Sequence, residues 1–151
     1  MEIDVKILEK YARLIVKTGI NVKKDQVLVI RSPIECASFT RQIARIAFEE
    51  GAGDVVISWS DELFSKIRYM HAPEKVFEEF PEWNREFYLS YARKGAAFVS
   101  VLATDPELMK GVDPVRIAKD SKTRSAALKE YSERIMSGKN SWCVVSIPTK
   151  S

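Results

Sequence analysis

Four short segments of this chain are mostly apolar, and segments with helical spacing separate them. The four are QVLVI (26–30), DVVISW (54–59), AAFVSVLA (96–103) and SWCVVSI (141–147). Strands without polar alternation are typical of a parallel sheet that helices cover on both faces. Crossovers of this length between successive strands imply right-handed connections. The sequence therefore predicts an α/β fold: a doubly wound, mostly parallel sheet of about four strands with helices on both faces.

The first two helices have recognisable start and stop signals. Apolar residues at helical spacing run through residues 4–18, which predicts a helix along this segment. After the first strand, Ser32 is predicted to cap the second helix, with Pro33 at the first helical position and Glu35 closing a capping box. Gly51 is expected to end that helix.

The later crossovers differ from each other in length and continuity. Two or three helical pieces are expected between the second and third strands, broken at Pro73 and Pro81, because proline disfavours helix in the residue before it. A single long helix is predicted over residues 113–138, with Asp113 as its cap and Gly138 at its end.

Size and composition are those of one globular unit. A chain of 151 residues with 46% hydrophobic content can bury a sizeable core, so residues 1–151 are expected to form a single α/β domain. Neither a run of about 18 apolar residues nor an export signal is found, which predicts a cytoplasmic protein. Cys36 and Cys143 lack paired spacing and are expected to be free buried thiols.

The charge balance argues against polyanionic partners. Lys and Arg number 24 and Asp and Glu 21, which gives a net charge of +3 and no strong general field. We expect neither nucleic acid nor membrane among the partners. A charged fraction of 30% with few amide side chains favours a thermophilic source.

The only histidine of the chain, His71, is near the end of a predicted helix that begins near Asp61. At 100° per residue, Asp61, Ser65 and Arg68 share a polar side. The opposite side is predicted to be a buried apolar stripe, which consists of Leu63, Ile67 and Met70. His71 lies between the two sides, and we interpret it as a hydrogen-bonded residue at an interface.

Motifs for catalysis within this chain are missing. The sequence contains no HExxH, no second histidine, no CxxC and no GxSxG, so it predicts neither a metal site nor a nucleophile–histidine relay. Cys36 follows Glu35, whose charge opposes thiolate formation, and is interpreted as a packing residue. We therefore predict no catalytic residue and no metal ligand here.

Ligands of open parallel sheets bind beyond the carboxyl ends of the strands. Seven polar residues follow the predicted strands and could line such a cleft: Arg31, Ser32, Ser60, Asp61, Thr104, Asp105 and Thr149. Capping of helices alone explains most of them. A phosphate site is disfavoured because Pro33 lacks an amide hydrogen and Glu35 would repel an anion, so nucleotide binding ranks last among the functions considered.

Two further residue groups have structural interpretations. The basic residues of the last helix alternate with acidic ones, which is typical of a solvated face; they are Arg116, Lys119, Lys122, Arg124, Lys129 and Arg134. Aromatic residues between the second and third strands fall at mostly helical spacing and predict core or subunit contacts; they are Phe77, Phe80, Trp83, Phe87, Tyr88 and Tyr91.

Several stretches together resemble the N-terminal domain of the aminopeptidase T and aminopeptidase S family of metalloaminopeptidases. They include LEKYARLIVKTGINVKKDQVLVI (8–30), GAGDVVISWSDE (51–62), RYMHAPEKVFEEFPEW (68–83), GAAFVSVLATDPELMKGVDPVRIA (95–118) and SWCVVSIPT (141–149). The stretches cover nearly the whole chain in the order of the family. YMHAP with FPEW, and DPELMKGVDP, are the most specific among them.

The resemblance implies a two-domain enzyme that removes N-terminal residues from peptides and forms homodimers. Two divalent metal ions (Zn, Co or Mg), held by carboxylates and histidines, would belong to the C-terminal domain, which this chain lacks. The present domain would then be inactive alone and would supply a cavity wall and an assembly surface. Arg31, Asp61, Arg68 and His71 are predicted to face the missing domain, with Asp61 and Arg68 as an interdomain ion pair.

A different class of function stays open. The chain stops four residues beyond Ile147, where a doubly wound fold normally turns into another covering helix. Either the last strand is at an exposed edge, or the chain is a piece of something longer. A natural stand-alone binding or oligomerisation module without peptidase activity is therefore the alternative to the aminopeptidase domain.

Overall fold

The computed structural model describes residues 4–103 and 105–148, and it contains one sheet with helices on both sides. The strands are β1 (Val27–Pro33), β2 (Asp54–Ser60), β3 (Ala97–Ala103) and β4 (Trp142–Ile147). The helices are α1 (Val5–Leu14), α2 (Ala37–Glu49), α3 (Glu62–His71), α4 (Glu82–Arg93), α5 (Pro114–Ala127) and α6 (Lys129–Met136). A π-helical turn (Ile15–Gly19) extends α1, and 3-10 turns at Ile34–Cys36 and Glu74–Glu78 precede α2 and α4.

The sheet is parallel throughout, with the strand order β2-β1-β3-β4. Arg31 of β1 is in register with Ser58 of β2 and with Ser100 of β3. The chain moves from β1 to one neighbour through α2 and later returns past β1 to β3, so the switch point lies between β1 and β3. The predicted fold class is confirmed.

One face of the sheet carries the larger core. Helices α1 and α2 pack there, and their apolar residues Ile15, Ile43 and Ile46 join Leu28 and Val99 from the strands. We call this the back face. Aligned residues in neighbouring parallel strands project to the same side, and alternate residues project to opposite sides. Val29 and Arg31 therefore lie on the other face.

The other, front face is covered over only part of its area. Helix α4 contributes Tyr88 and Ala92, and the α5–α6 junction contributes Leu128, to a cluster with Val29 and Phe98, against which Tyr131 and Ile135 of α6 pack. These strand residues precede Arg31 and Ser100, so the helices cover the amino-terminal half of the front face. The half near the carboxyl ends of the strands is left to form a cleft.

The predicted start of the second helix is wrong. Ser32 does not cap a helix, because β1 continues in register with β2 through Pro33. The Ser32 hydroxyl is buried; it donates to the Pro33 carbonyl oxygen at 2.9 Å and accepts from the Thr40 hydroxyl at 2.7 Å. A 3-10 turn, Ile34–Cys36, then leads into α2. The capping box predicted from Ser32 and Glu35 is therefore not formed.

The long helix predicted over residues 113–138 is two helices. Asp113 caps α5 as predicted, since its carboxylate accepts a hydrogen bond from the Val115 amide at 2.9 Å. The chain then breaks at Leu128, whose ψ of 24° is not helical. Leu128 is buried in the front cluster. The helical spacing continued across the break, so the sequence pattern gave no sign of it.

The ends of the sheet and the thiols agree with the sequence predictions. Strand β4 lies at an edge of the sheet. Cys36 and Cys143 are free thiols; Cys36 is buried as predicted, whereas Cys143 is only partly buried. Burial raises the pKa of both, with the Glu35 charge adding to the rise at Cys36. Among the described residues, no helix combines the length and apolar composition needed to span a bilayer.

Candidate functional site

A cleft opens on the front face, at the carboxyl ends of β1 and β3. Its volume is about 690 Å³, which is within the usual range for small-ligand sites. The described residues that line it are Arg31, Ser32, Pro33, Ile57, Ser58, Trp59, Ser60, Glu62, Trp83, Asn84, Phe87, Tyr88, Ser100, Val101, Leu102, Ala103 and Arg124. The cleft is therefore at the switch point where open parallel sheets bind ligands.

Two guanidinium groups flank one aromatic ring inside this cleft. The Cζ atom of Arg31 lies 5.3 Å from the ring centroid of Tyr88, and that of Arg124 lies 5.6 Å from the same centroid. Arg124 also lies 5.8 Å from the ring of Phe80. Cations at these distances are attracted to the negative faces of aromatic rings. Tyr88 is buried, so its ring holds both arginines in place.

The positive charge of the two arginines is not balanced by ion pairs. Within the described part of the chain, neither Arg31 nor Arg124 has a carboxylate within salt-bridge distance. The Nη2 atom of Arg124 is buried and donates to no described atom. Glu62 is the only carboxylate among the described lining residues, and its pKa is raised by burial first and by Glu35 and Asp61 next.

Two tryptophans give the cleft an apolar rim. Trp59, at the end of β2, is 43% exposed, and Trp83, in the first turn of α4, is 73% exposed. Phe77 and Tyr88 are buried, as predicted for the core, whereas Trp83 is not part of it. Large exposed aromatic residues beside a cleft are typical of surfaces that meet a ligand or another protein.

Helix α3 has its apolar side chains in solvent. Leu63, Phe64, Ile67 and Met70 are exposed by 63%, 59%, 55% and 51%, and no residue of α3 is buried. The predicted buried stripe is therefore wrong. We call these four residues the α3 face.

Polar contacts hold the opposite side of α3 to the protein. Arg68 lies 3.5 Å from the Asp120 carboxylate, and the Tyr69 hydroxyl donates to the same carboxylate at 2.7 Å. The Arg68 guanidinium also stacks on the buried ring of Phe77, 5.0 Å from its centroid. Burial, together with Asp120, raises the pKa of Tyr69 to about 12. The polar side of α3 that carries Arg68 is thus the side that packs on the rest of the chain.

Helix α5 supplies the partners for this side of α3. Arg116 donates to the backbone oxygens of Tyr69 at 2.7 Å and Ala72 at 2.9 Å, at the carboxyl end of α3, where free carbonyl groups attract cations. Residues 116, 120 and 124 are spaced four apart and share one side of α5. The prediction of a solvated basic face is therefore wrong for Arg116 and Arg124.

The predicted site residues do not converge on one point. Arg31 lines the cleft. Asp61 caps α3, accepting from the amides of Leu63 at 3.0 Å and Phe64 at 3.2 Å. His71 is at the far end of α3, about 15 Å away by helical rise; it is exposed, and its imidazole makes no hydrogen bond to another described residue, so the predicted hydrogen bond is not formed within this chain. Because Asp61 and Arg68 each have a partner inside the chain, their role across a domain boundary stays a prediction.

The remaining candidates add no catalytic group. Asp105 accepts a hydrogen bond from the Glu107 amide at 3.0 Å, as in a turn. Thr104 and Thr149, also predicted near the cleft, are outside the described residues. Across residues 4–103 and 105–148, no three side chains of His, Cys, Asp or Glu are grouped to hold a metal ion.

Sequence reasoning missed the main groups of the cleft. Tyr88 and Trp83 had been assigned to the core or to a subunit contact, and Arg124 to a solvated surface. The four-residue spacing of Arg116, Asp120 and Arg124 was the available signal for Arg124, because alternating charges at this spacing form one helix side. Nothing in the sequence indicated that Tyr88 would lie between two arginines.

Comparison with known proteins relates the whole described chain to aminopeptidases. A family model described as "Thermophilic metalloprotease (M29)" matches residues 4–151. Aminopeptidase 2 of Geobacillus stearothermophilus is 43% identical over 144 residues, which cover 95% of this chain and 35% of that protein. Aminopeptidase AmpS of Bacillus subtilis is 41% identical over 138 residues, which cover 91% and 34%.

A solved structure extends the similarity to the backbone. Wild-type AmpT from Thermus thermophilus superposes with a TM-score of 0.86 at 30% sequence identity, covering 94% of this chain and 36% of that one. The chain thus spans about a third of the length of these relatives. The resemblance predicted from the sequence motifs is confirmed.

Proposed function

The chain belongs to the thermophilic metalloprotease (M29) family, and on that premise we propose that it is the N-terminal domain of a metal-dependent aminopeptidase. The parent enzyme would release N-terminal amino acids from peptides. The domain of residues 1–151 would form a wall of the substrate cavity and an assembly surface, and it would be inactive alone. The relatives support this assignment, since they are named aminopeptidases and this chain matches about a third of their length.

The α3 face is the observation that carries the assembly part of the proposal. Four large apolar side chains on one helix are more than half exposed. Removing apolar surface from water is favourable by about 25 cal/mol per Å², so such a face gains free energy when another surface covers it. The other surface, in this proposal, is the metal-bearing domain of the same polypeptide.

The metal ions would be held by that other domain. The M29 family is one of metalloproteases, but the described residues of this chain include no group of ligands that fits a metal ion. Two divalent ions (Zn, Co or Mg) would activate water and polarise the peptide carbonyl there. This chain's own contribution is to exclude bulk water with the apolar rim of Trp59 and Trp83 and to position substrate with the groups of the cleft.

Arg31, Asp61, Arg68 and His71 have different parts in this proposal. Arg31 would face the substrate cavity, because it lines the cleft. Asp61 fixes the start of α3 and Arg68 anchors its packing side; through these contacts both would hold the α3 face toward the second domain. His71 would contact that domain directly, since it is exposed at the end of α3.

These roles are tested in the parent enzyme by alanine substitution. His71→Ala should weaken assembly or turnover while leaving the fold of this domain intact, because the side chain of His71 is exposed. Unchanged turnover and assembly of both His71→Ala and Arg68→Ala would count against the placement of this edge at the domain boundary.

We also propose the homodimer that the family resemblance implies and a cytoplasmic location. Sedimentation of the parent enzyme tests the homodimer, and cell fractionation tests the location.

The decisive experiment determines whether the encoding reading frame continues beyond residue 151 and compares the peptidase activity of its full product with that of residues 1–151. If the frame continues beyond Ser151 into a segment rich in His, Asp and Glu, its full product should release N-terminal amino acids in the presence of cobalt or zinc. Residues 1–151 alone should release none. Activity of the short chain, or an inactive long product that binds metal, would contradict the proposal.

A stand-alone oligomerisation module is the second candidate function. The α3 face favours it as well, because two copies of the chain could cover each other's apolar residues. A stop codon directly after Ser151, together with a dimer of the 151-residue chain that Ile67→Glu dissociates, would support the module. A monomeric chain with a continuing frame would support the aminopeptidase domain.

A further inference from the structure

We propose that the cleft at the carboxyl ends of β1 and β3 binds a single carboxylate, that of the C-terminus of a short peptide, through Arg31 and Arg124. The carboxylate chemistry follows from the cleft alone. The peptide as its source rests on the proposed function. A site of this kind would make the domain a determinant of substrate length, separate from the metal centre that cleaves the other end of the peptide.

The charge of the cleft fits one negative charge. Two guanidinium groups and one carboxylate, that of Glu62, are the charged groups among its described lining residues. When all three are ionised, the balance is one positive charge. A carboxylate neutralises this charge, whereas a phosphate dianion would leave an excess negative charge close to Glu62 in a partly desolvated site.

The two arginines are held ready for an acceptor. Both approach the buried ring of Tyr88, with Cζ 5.3 Å from the ring centroid for Arg31 and 5.6 Å for Arg124. A guanidinium group has five N–H donors, so a cation–π contact leaves donors for a planar acceptor. Guanidinium and carboxylate form paired, charge-assisted hydrogen bonds, which are among the strongest in proteins.

An unmet hydrogen-bond donor also points to a missing acceptor. The Nη2 atom of Arg124 is buried without a partner among the described atoms. Leaving a buried donor unpaired is unfavourable, and for a charged group the penalty is larger. Arginines in packed regions usually have a carboxylate partner, and neither Arg124 nor Arg31 has one within the described ranges. A bound carboxylate would supply it.

The rest of the cleft suits a peptide better than an isolated anion. Trp59, Trp83 and Phe87 form apolar walls on which side chains can pack. Asn84 offers an amide that can both donate to and accept from a peptide group. An ordinary small anion would leave these walls in water.

Intrinsic fluorescence of the 151-residue chain tests the site. Trp59 and Trp83 line the cleft and Trp142 does not, so binding should change part of the emission. We would titrate Leu-Gly-Gly as the free acid and as its C-terminal amide. The free acid should bind about tenfold more tightly or better, since the amide lacks the charge that the arginines recognise.

Matched variants assign the effect to the arginines. Arg124→Met and Arg31→Met should each reduce affinity for the free acid to that for the amide. Arg93→Met, which removes an exposed pair with Glu130 that is not among the described lining residues of the cleft, should leave both affinities unchanged. Circular dichroism checks folding; if one cleft variant unfolds, the other carries the test.

Three results would overturn the inference. The first is equal affinity for the free acid and the amide, and the second is no binding of either. The third is that inorganic phosphate displaces the free acid at a concentration as low as that at which unlabelled free acid does. The proposed function is tested separately by the activity of the longer reading-frame product. Carboxylate binding without peptidase activity would support the carboxylate site and refute the proposed function. Peptidase activity of the longer product without carboxylate binding would support the proposed function and refute the site.

Discussion

Replacing two residues of the α3 face tests whether this face is exposed, as in the structure, or buried, as the sequence pattern predicts. Leu63 and Ile67 lie one helical turn apart on α3, where helical periodicity predicts a buried stripe. In the structure they are 63% and 55% exposed. The double variant Leu63→Ala, Ile67→Ala removes both side chains without disfavouring the helix, because alanine has the highest helix propensity.

The two views predict very different free energies of unfolding. Truncation of a buried Leu or Ile to Ala costs about 2–5 kcal/mol each, so a buried stripe would lose roughly 4–10 kcal/mol and the chain would unfold. Surface substitutions usually change stability by less than about 0.5 kcal/mol each. The structure therefore predicts a loss below about 1 kcal/mol for the double variant.

Urea denaturation of the 151-residue chain, followed by circular dichroism, measures this difference. Ile43→Ala is the matched control, since Ile43 of α2 is fully buried, and it should lose about 2–5 kcal/mol. A loss of 4 kcal/mol or more in the double variant would refute the exposed placement of α3, and with it the docking role. In the parent enzyme the same pair should weaken domain contact by about 1 kcal/mol each, since half-exposed side chains gain about half of their full burial energy.

Three further predictions concern the packing of the fold. Asn140→Ala should cost about 1–3 kcal/mol in urea denaturation, because its buried side chain donates to two backbone carbonyl oxygens, at 3.0 and 2.8 Å; a loss below about 0.5 kcal/mol would contradict this. Gly53→Ala should lower the melting temperature, since a Cβ atom there would lie 2.5 Å from the Asp25 backbone oxygen; an unchanged temperature would exclude that close approach. The pKa of Tyr69 is raised from 10.0 to about 12, so its contribution to stability is complete below pH 10 and is lost as the pH rises towards 12; Tyr69→Phe should flatten this alkaline fall in unfolding free energy, and an equal fall in both proteins would contradict it.

The sheet and its helices were predictable because burial leaves a strong pattern in the sequence. The central strands β1 and β3 are buried on both faces and read as continuous apolar runs. Asp61 and Asp113 cap their helices as side-chain chemistry predicts. Ser32 was misassigned for a local reason: strand pairing continues through Pro33, and tertiary pairing overrides the preference of serine and proline for a helix start.

The site was less predictable because its contacts are made between distant segments. Arg31 and Arg124 meet at Tyr88 only after the chain has crossed the sheet, and no local spacing encodes that meeting. The prediction of a buried stripe on helix α3 was wrong for a related reason. An apolar helical stripe indicates a covered face, but it does not say whether the cover comes from the same chain or from another surface.

The metal content of the purified 151-residue chain tests the central claim most directly. The chain is incubated with zinc or cobalt, and free ions are removed by gel filtration. Inductively coupled plasma mass spectrometry should then find far less than one metal ion per chain. The chain should also release no N-terminal amino acids from peptides. A stoichiometric, tightly held ion together with peptide hydrolysis would contradict the claim that catalysis belongs to another part of the parent enzyme.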